Sequence, residues 1–591
     1  MKVTKKTALL LVIALLTCFL SSACGISGKA STEPQPRCHY GSQVDFIPNE
    51  EVERVKLSEL EYVRPDEQEV RFVTSGLYSL NVKVSTYQTA EDFIKDYYDI
   101  LTRQRKIEAM YWLAYLRHDI DQTDTFYQTE VEYCYSAYNE IQGNSYELMH
   151  SLANSPLRDD LEMLLFGRNF FKSYDSNYYD YTEEEAELWN QEYSLCQAFL
   201  TATYEQYATY NGETKLLNEW LTSDSQDVRI GATAAYIEEY HDNLGQIYID
   251  LVNKRNKIAQ LNGYDNYAEY SYFIDEDYTF DKTKKFLSAV KTYAAPLVNK
   301  LDKKYPGLFV DAYLEKYPYP KDTEPYEALS SACKKMGGLI WEACQFLTES
   351  DWCDYSFSPT KRAIGYSSYL PYYELPIVFI NPAKYDIINT LFHEFGHNVD
   401  HYYHYGCDKV DSTVGEMYSQ SMEYLALKYT DAFPEDIQKE SIRVKMARYL
   451  IKNVLEECLI ADFEEQVYSL KESELTLEKL DEIWLQCWND YGLLYIYPEE
   501  TVSKRWIYVH HLYSHPCYCL NYATTVVGAL QICELEEEKK GEGVKVYEET
   551  IKTTAGMSFA EVFENSPLDN PLEENTVKKI SEFLKKMLEL E

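Results

Sequence analysis

Eight residues constrain this chain more than any others: Thr390-Leu391-Phe392-His393-Glu394-Phe395-Gly396-His397. Ile387, Leu391 and Phe395 recur every four positions with Ile388, Phe392 and Val399 beside them, so the stretch carries the buried face of an amphipathic helix. On that helix His393 and His397 stand one turn apart and can aim both imidazoles at one ion. Glu394 lies one step round the axis, close enough to serve a water at that ion but badly placed to ligate it. With 11 histidines in 591 residues, H-E-x-x-H should arise by accident only about 0.02 times. A purely structural histidine pair would leave the intervening glutamate unexplained.

A catalytic zinc needs a third protein ligand and one open position. Downstream, Val414-Gly415-Glu416-Met417-Tyr418-Ser419-Gln420-Ser421-Met422-Glu423 reads as a helix entered at a glycine, with Glu416 and Glu423 seven residues apart on one face. Either carboxylate could reach back. Glu416 in the first turn is the expected ligand of one zinc per chain, and Glu423 is expected to hold a ligating imidazole by its other nitrogen. A surface carboxylate on an acidic protein is the alternative for Glu423.

Just before the motif, Pro376-Ile377-Val378-Phe379-Ile380-Asn381-Pro382 is a β-branched run fenced by prolines, which fits a strand. It is either an edge that offers backbone groups to an extended substrate or a strand buried in a small sheet. Near the C-terminus, the block from Trp506 to Thr524 concentrates three of the histidines among tyrosines. Phenol and imidazole donors can stabilise the negative charge that builds on a carbonyl oxygen during amide hydrolysis. In a chain with 57 tyrosines, aromatic packing is the competing reading of that block.

The histidine motif, the segment Glu416-Met417-Tyr418-Ser419-Gln420 and the final tyrosine-rich block together resemble the thimet oligopeptidase and oligoendopeptidase F family of zinc metallopeptidases. The likeness extends upstream through Arg255-Asn256-Lys257-Ile258-Ala259 and Gly263-Tyr264-Asp265-Asn266-Tyr267-Ala268, and covers roughly Asp227 to Leu584. It implies a mostly α, multi-helical, two-lobed zincin-like fold with a small β-sheet next to the active-site helix. A deep channel between the lobes would admit short peptides, whose internal bonds are cut with Glu394 as general base. It also implies that His511, Tyr518 and Tyr522 are the donors to the carbonyl oxygen, with the two tyrosines on one helix face. Two features depart from the family pattern: Asp400 followed by His401 stands where another histidine often follows the motif, and the stretch between His397 and Glu416 is short.

Composition narrows the partners. The balance of 56 Lys and Arg against 97 Asp and Glu gives a net charge of −41, which repels phosphate backbones, so nucleic acid is excluded as an expected partner. At this length several subdomains or one large multi-lobed enzyme are expected. Lys2, Lys5 and Lys6, the apolar run Ala8 to Leu16 and the small residues ending at Cys24 read as a lipoprotein-type signal peptide over residues 1–24. Cys24 is then the lipidated anchor, with secretion as the alternative; either way the body lies outside the cytoplasmic membrane.

A flexible tether is expected over 25–49, an N-terminal helical region over 50–226, and the zinc peptidase domain over 227–591. Export would permit disulfides among the remaining cysteines, whose pairing spacing does not reveal. Cys517 and Cys519 read as packing, and the charge run Glu534 to Lys540 as a solvated helix face. A peptide-binding surface lipoprotein without catalysis is the competing function. Oligomeric state leaves no trace in the sequence.

Overall fold

The computed structural model describes the chain from residue 56 to 591, except 175–181, 204–205, 224, 277, 307–321, 363, 371, 374, 382–385, 405–411 and 555. The signal segment with Cys24 and the tether lie outside the described residues. Among the described residues, no helix is long and apolar enough to cross a membrane.

The fold is mostly helical, as expected, and it divides into two compact units. The first takes its described residues from Met1–Asp180, Pro318–Gln438 and Leu535–Pro567, the second from Tyr181–Tyr317, Lys439–Glu534 and Leu568–Glu591. The first unit begins with the helices Glu67–Lys83, Ala90–Ile120 and Thr125–Ala153, started by Asp66, Thr89 and Asp124, whose side chains each accept a main-chain N–H of the first turn. Their apolar stripes meet in a core that includes Val73, Leu77, Phe93, Ile94, Leu101, Ile141, Leu148 and Leu152. In the second unit, the 36-residue helix Gln226–Leu261 runs beside Glu183–Thr203 and an antiparallel hairpin of β1 (Tyr207–Tyr210) and β2 (Glu213–Leu216).

The small sheet belongs to the first unit. It consists of β3 (Cys353–Asp354), β4 (Gly365–Leu370) and β5 (Leu375–Ile380), in the order β3-β5-β4. The proline-fenced run is therefore the central strand, buried at all six positions, and the edge reading of it is wrong. The edges are β3 and β4, and β4 pairs antiparallel with β5 from Gly365 opposite Ile380 to Leu370 opposite Leu375. β4 lies against the helix that carries the histidine motif: a Cβ placed on Gly365 would fall 3.0 Å from Thr390 Cγ2 and 3.5 Å from Glu394 Oε1.

That helix spans Ile387–Tyr403 and starts at Asp386, whose carboxylate accepts the N–H of Asn389 at 2.9 Å. Leu391, Phe392, Phe395 and Val399 are fully buried, as their period requires. It packs along the helix Ser412–Tyr429, and Gly396 is what lets the two backbones meet. A Cβ there would lie 2.4 Å from Ser419 Cα and 2.9 Å from the Tyr418 carbonyl oxygen, so Gly396→Ala must push the helices apart. We expect that substitution to cost about 1–3 kcal/mol, as overpacking of a tight core does. Unchanged denaturant unfolding of the variant would show that the close approach is not kept in solution.

The charge run at the end of Cys519–Glu538 is not a plain solvated face. Glu536 is buried and accepts from Tyr429 Oη at 2.7 Å and from the Gly541 N–H, and Glu537 is bound by Tyr424 and Lys428. Local charge alone could not reveal partners more than a hundred residues away.

Candidate metal centre

The two helices that Gly396 brings together supply the whole cluster. His393 and His397 lie one turn apart on the first, their ring centroids 5.1 Å apart and their planes at 82°. Glu416 comes back from the first turns of the second: its Oε2 is 3.5 Å from His393 Nε2 and its Oε1 is 3.8 Å from His397 Nε2. One donor atom from each of the three residues fits within 4.8 Å of the others, and this is the only such group among the described residues. Donors bound at roughly 2 Å to one tetrahedral zinc would sit at separations of this order, so two neutral imidazoles and a carboxylate fit that ion.

Two contacts hold the donors. Glu423 Oε1 accepts from His393 Nδ1 at 2.7 Å, which leaves Nε2 directed at the cluster. The surface reading of Glu423 is thereby overturned. Ser419 Oγ donates to Glu416 Oε2 at 3.2 Å and to its main-chain oxygen at 2.9 Å, bracing the carboxylate from one turn further along. Sequence reading missed Ser419, although its place three residues after Glu416 was a usable signal.

Glu394 is buried beside the cluster and does not belong to the donor set. Burial first, then the neighbouring Glu416 and Glu423 carboxylates, push it up to about 7, against the opposing pull of His393 and the main-chain N–H of Ser367 on β4. Burial disfavours the His393 imidazolium, but the bond to Glu423 and the surrounding carboxylates outweigh it and lift the group to about 9. His397 is held well below its ordinary value by burial and by the charges of His393 and His401. Burial and the neighbouring carboxylates thus raise Glu394 beside the three converging donors.

The departures from the family pattern lie outside the donor set. Asp400 is buried and bonded to His404 Nδ1 at 2.7 Å, and His401 Nδ1 lies 3.2 Å from Ser367 Oγ. His511, Tyr518 and Tyr522, the expected carbonyl donors, belong to the second unit, where they form one cluster. The ring of His511 stacks 6.2 Å from Tyr518 and lies edge-on 5.7 Å from Tyr522, with the two phenol rings 5.0 Å apart. Burial, and then His515 and His510, pull His511 down to about 4, so it is a neutral imidazole with one N–H to donate. Tyr518 precedes the helix Cys519–Glu538 instead of sharing a face of it with Tyr522; the turn before the helix brings the rings together. His510 and His515 both contact Ser514 Oγ, at 2.7 and 2.9 Å.

A helix with two histidines and a glutamate between them, completed by a carboxylate from the next helix, defines a metallopeptidase centre. Comparison with known proteins agrees. Residues 57–179 match the peptidase M3 N-terminal domain and residues 340–582 match peptidase family M3. The chain belongs to peptidase family M3.

Solved structures share the fold. PZ peptidase A with inhibitor 2 superposes with a TM-score of 0.73 at 21% identity, over 90% of this chain and 99% of that one. A Bacillus anthracis str. Ames protein assigned as an oligoendopeptidase F gives 0.70 at 21% identity, over 90% and 98%. The oligoendopeptidase F of Enterococcus faecium gives 0.57 at 16% identity, over 88% and 98%. No curated protein matches the chain by sequence.

Proposed function

We propose that this chain is a zinc-dependent endopeptidase that hydrolyses internal bonds of short peptides. The observation that carries the reading is the convergence of His393, His397 and Glu416, with the buried Glu394 beside them and outside the donor set. Those three residues would hold the metal, which when bound supplies a Lewis acid for the carbonyl and the water. Glu394 takes the proton from the attacking water and passes it to the leaving amine. His511, Tyr518 and Tyr522 donate hydrogen bonds to the carbonyl oxygen as its charge develops. The names of the oligoendopeptidase F neighbours support short peptides and internal cuts.

The same proposal places the protein outside the cytoplasmic membrane, anchored through a lipid on Cys24, with residues 1–24 as signal and 25–49 as tether. Residues 50–226 then form the N-terminal helical region and 227–591 the catalytic domain.

Cleavage of a mixed library of short peptides, read by mass spectrometry with chelator and then with zinc restored, tests the reading. Internal cuts that vanish with chelator and return with zinc are expected. Intact peptides in the presence of one bound zinc per chain would favour the non-catalytic peptide-binding lipoprotein.

A further inference from the structure

The segment that carries the C-terminal donors is gripped by its main chain from two sides. Arg255, on Gln226–Leu261, is fully buried. Its Nη1 donates to the carbonyl of Leu512 at 2.7 Å and to Tyr468 Oη at 3.3 Å, and its Nη2 donates to the carbonyl of Tyr513. Its charge is met by Glu192, whose Oε1 accepts from Nε at 3.0 Å and from Nη2 at 2.7 Å. On the other side, Glu464 is fully buried on Glu457–Tyr468, and its Oε1 accepts the main-chain N–H of Cys517 at 2.9 Å. Cys517 sits at φ +66, a left-handed conformation that a non-glycine residue keeps only when its surroundings enforce it.

We propose that Arg255 and Glu464 are positioning residues that clamp the backbone of Leu512–Cys517 and thereby set where His511 and Tyr518 present their side chains. The inference rests on the donor role proposed above. The last carbonyls of the helix His510–Ser514, like those of any α-helix, have no partner within it, and the guanidinium takes two of them. A buried arginine is an expensive way to fill a core, since an apolar side chain of similar volume avoids the desolvation of its charge. What a guanidinium adds is direction: a rigid fork that fixes two consecutive carbonyls at once. Between the clamps, the phenol ring of Tyr513 stacks on Phe199 with centroids 3.9 Å apart, which pins the segment further. His511 and Tyr518 stand at either end of the clamped stretch, their rings 10° from parallel.

The experiment compares Arg255→Lys, Glu464→Leu and Glu464→Gln, each alone and combined with His511→Gln. It reads kcat and KM separately and follows His511 titration by the ring C2 proton, assigned by its loss in His511→Gln. Glu464→Gln keeps an oxygen for the Cys517 N–H and should stay within about threefold of wild type, which also controls for folding. Glu464→Leu and Arg255→Lys should lower kcat by about tenfold or more with little change in KM, and raise the His511 midpoint toward about 6.5.

In the His511→Gln background, which itself should lose about 10²-fold, those two substitutions should add less than about threefold. An unmoved His511 midpoint in both variants overturns the clamp, as do losses that multiply fully with His511→Gln, or Glu464→Gln as damaging as Glu464→Leu. If the midpoint moves but His511→Gln turns over like wild type, the clamp stands and the donor role of His511 falls.

Discussion

Replacing Glu394 with glutamine should lower kcat by about 10² to 10⁴-fold while the protein binds zinc in full. Glutamine has the same length and volume, and its oxygen can still accept the Ser367 N–H that now reaches the carboxylate. It cannot take a proton. Since Glu394 is outside the group whose donor atoms converge, the substitution leaves all three proposed ligands in place. The protein's own groups, through burial and two neighbouring carboxylates, hold Glu394 up to about 7. A dication among the ligands draws it back toward the ionised form, which a general base needs at neutral pH. Metal content by mass spectrometry and turnover of a cleaved peptide are the two readouts. Turnover within tenfold of wild type would remove Glu394 from the reaction.

The second large effect separates the two glutamates of the following helix. Glu423→Gln alters the group that receives the His393 Nδ1 proton and should weaken metal binding by roughly 10- to 100-fold, the usual cost of disturbing a partner behind a ligand. Glu416→Gln removes a ligand charge and should cost more, because the 3.5 and 3.8 Å approaches to the two imidazoles then end in a neutral amide. Competition titration with a chromophoric zinc chelator ranks the two. If Glu423→Gln proves the more damaging, the ligand assignment must be exchanged.

How much of this was legible depends on how far apart in sequence the partners lie. The motif helix could be read outright, because its buried period and its two histidines are properties of a single turn repeated. The seven-residue spacing of Glu416 and Glu423 put both on the correct face, but their roles depend on the depth at which the helix crosses its neighbour. Gly396 sets that depth through contacts with Tyr418, Ser419 and Met422. For the strand Leu375–Ile380, residue type predicted existence and failed to predict place. Whether a strand is central or an edge is decided by what pairs with it, here Gly365–Leu370 and Cys353–Asp354. Ser367 carried no signal at all: a serine on a strand meets Glu394 and His401 only after the sheet has packed on the helix. The clamp on Leu512–Cys517 was equally hidden, since its two grips come from residues about 50 and 260 positions away.

The interleaving of the two units bears on how the protein comes into being. The chain passes from one unit to the other at five places, after Asp180, Tyr317, Gln438, Glu534 and Pro567. Each unit takes in a late stretch of the chain: the first waits for Leu535–Pro567 and the second for Leu568–Glu591. Domains that follow one another in sequence can close in turn as they leave the ribosome. In this chain the unit that holds the helices Ile387–Tyr403 and Ser412–Tyr429 is completed only by Leu535–Pro567, more than a hundred residues later. A chain whose two units close late is suited to the export proposed above, because it can cross a membrane unfolded and meet the proposed zinc on the far side.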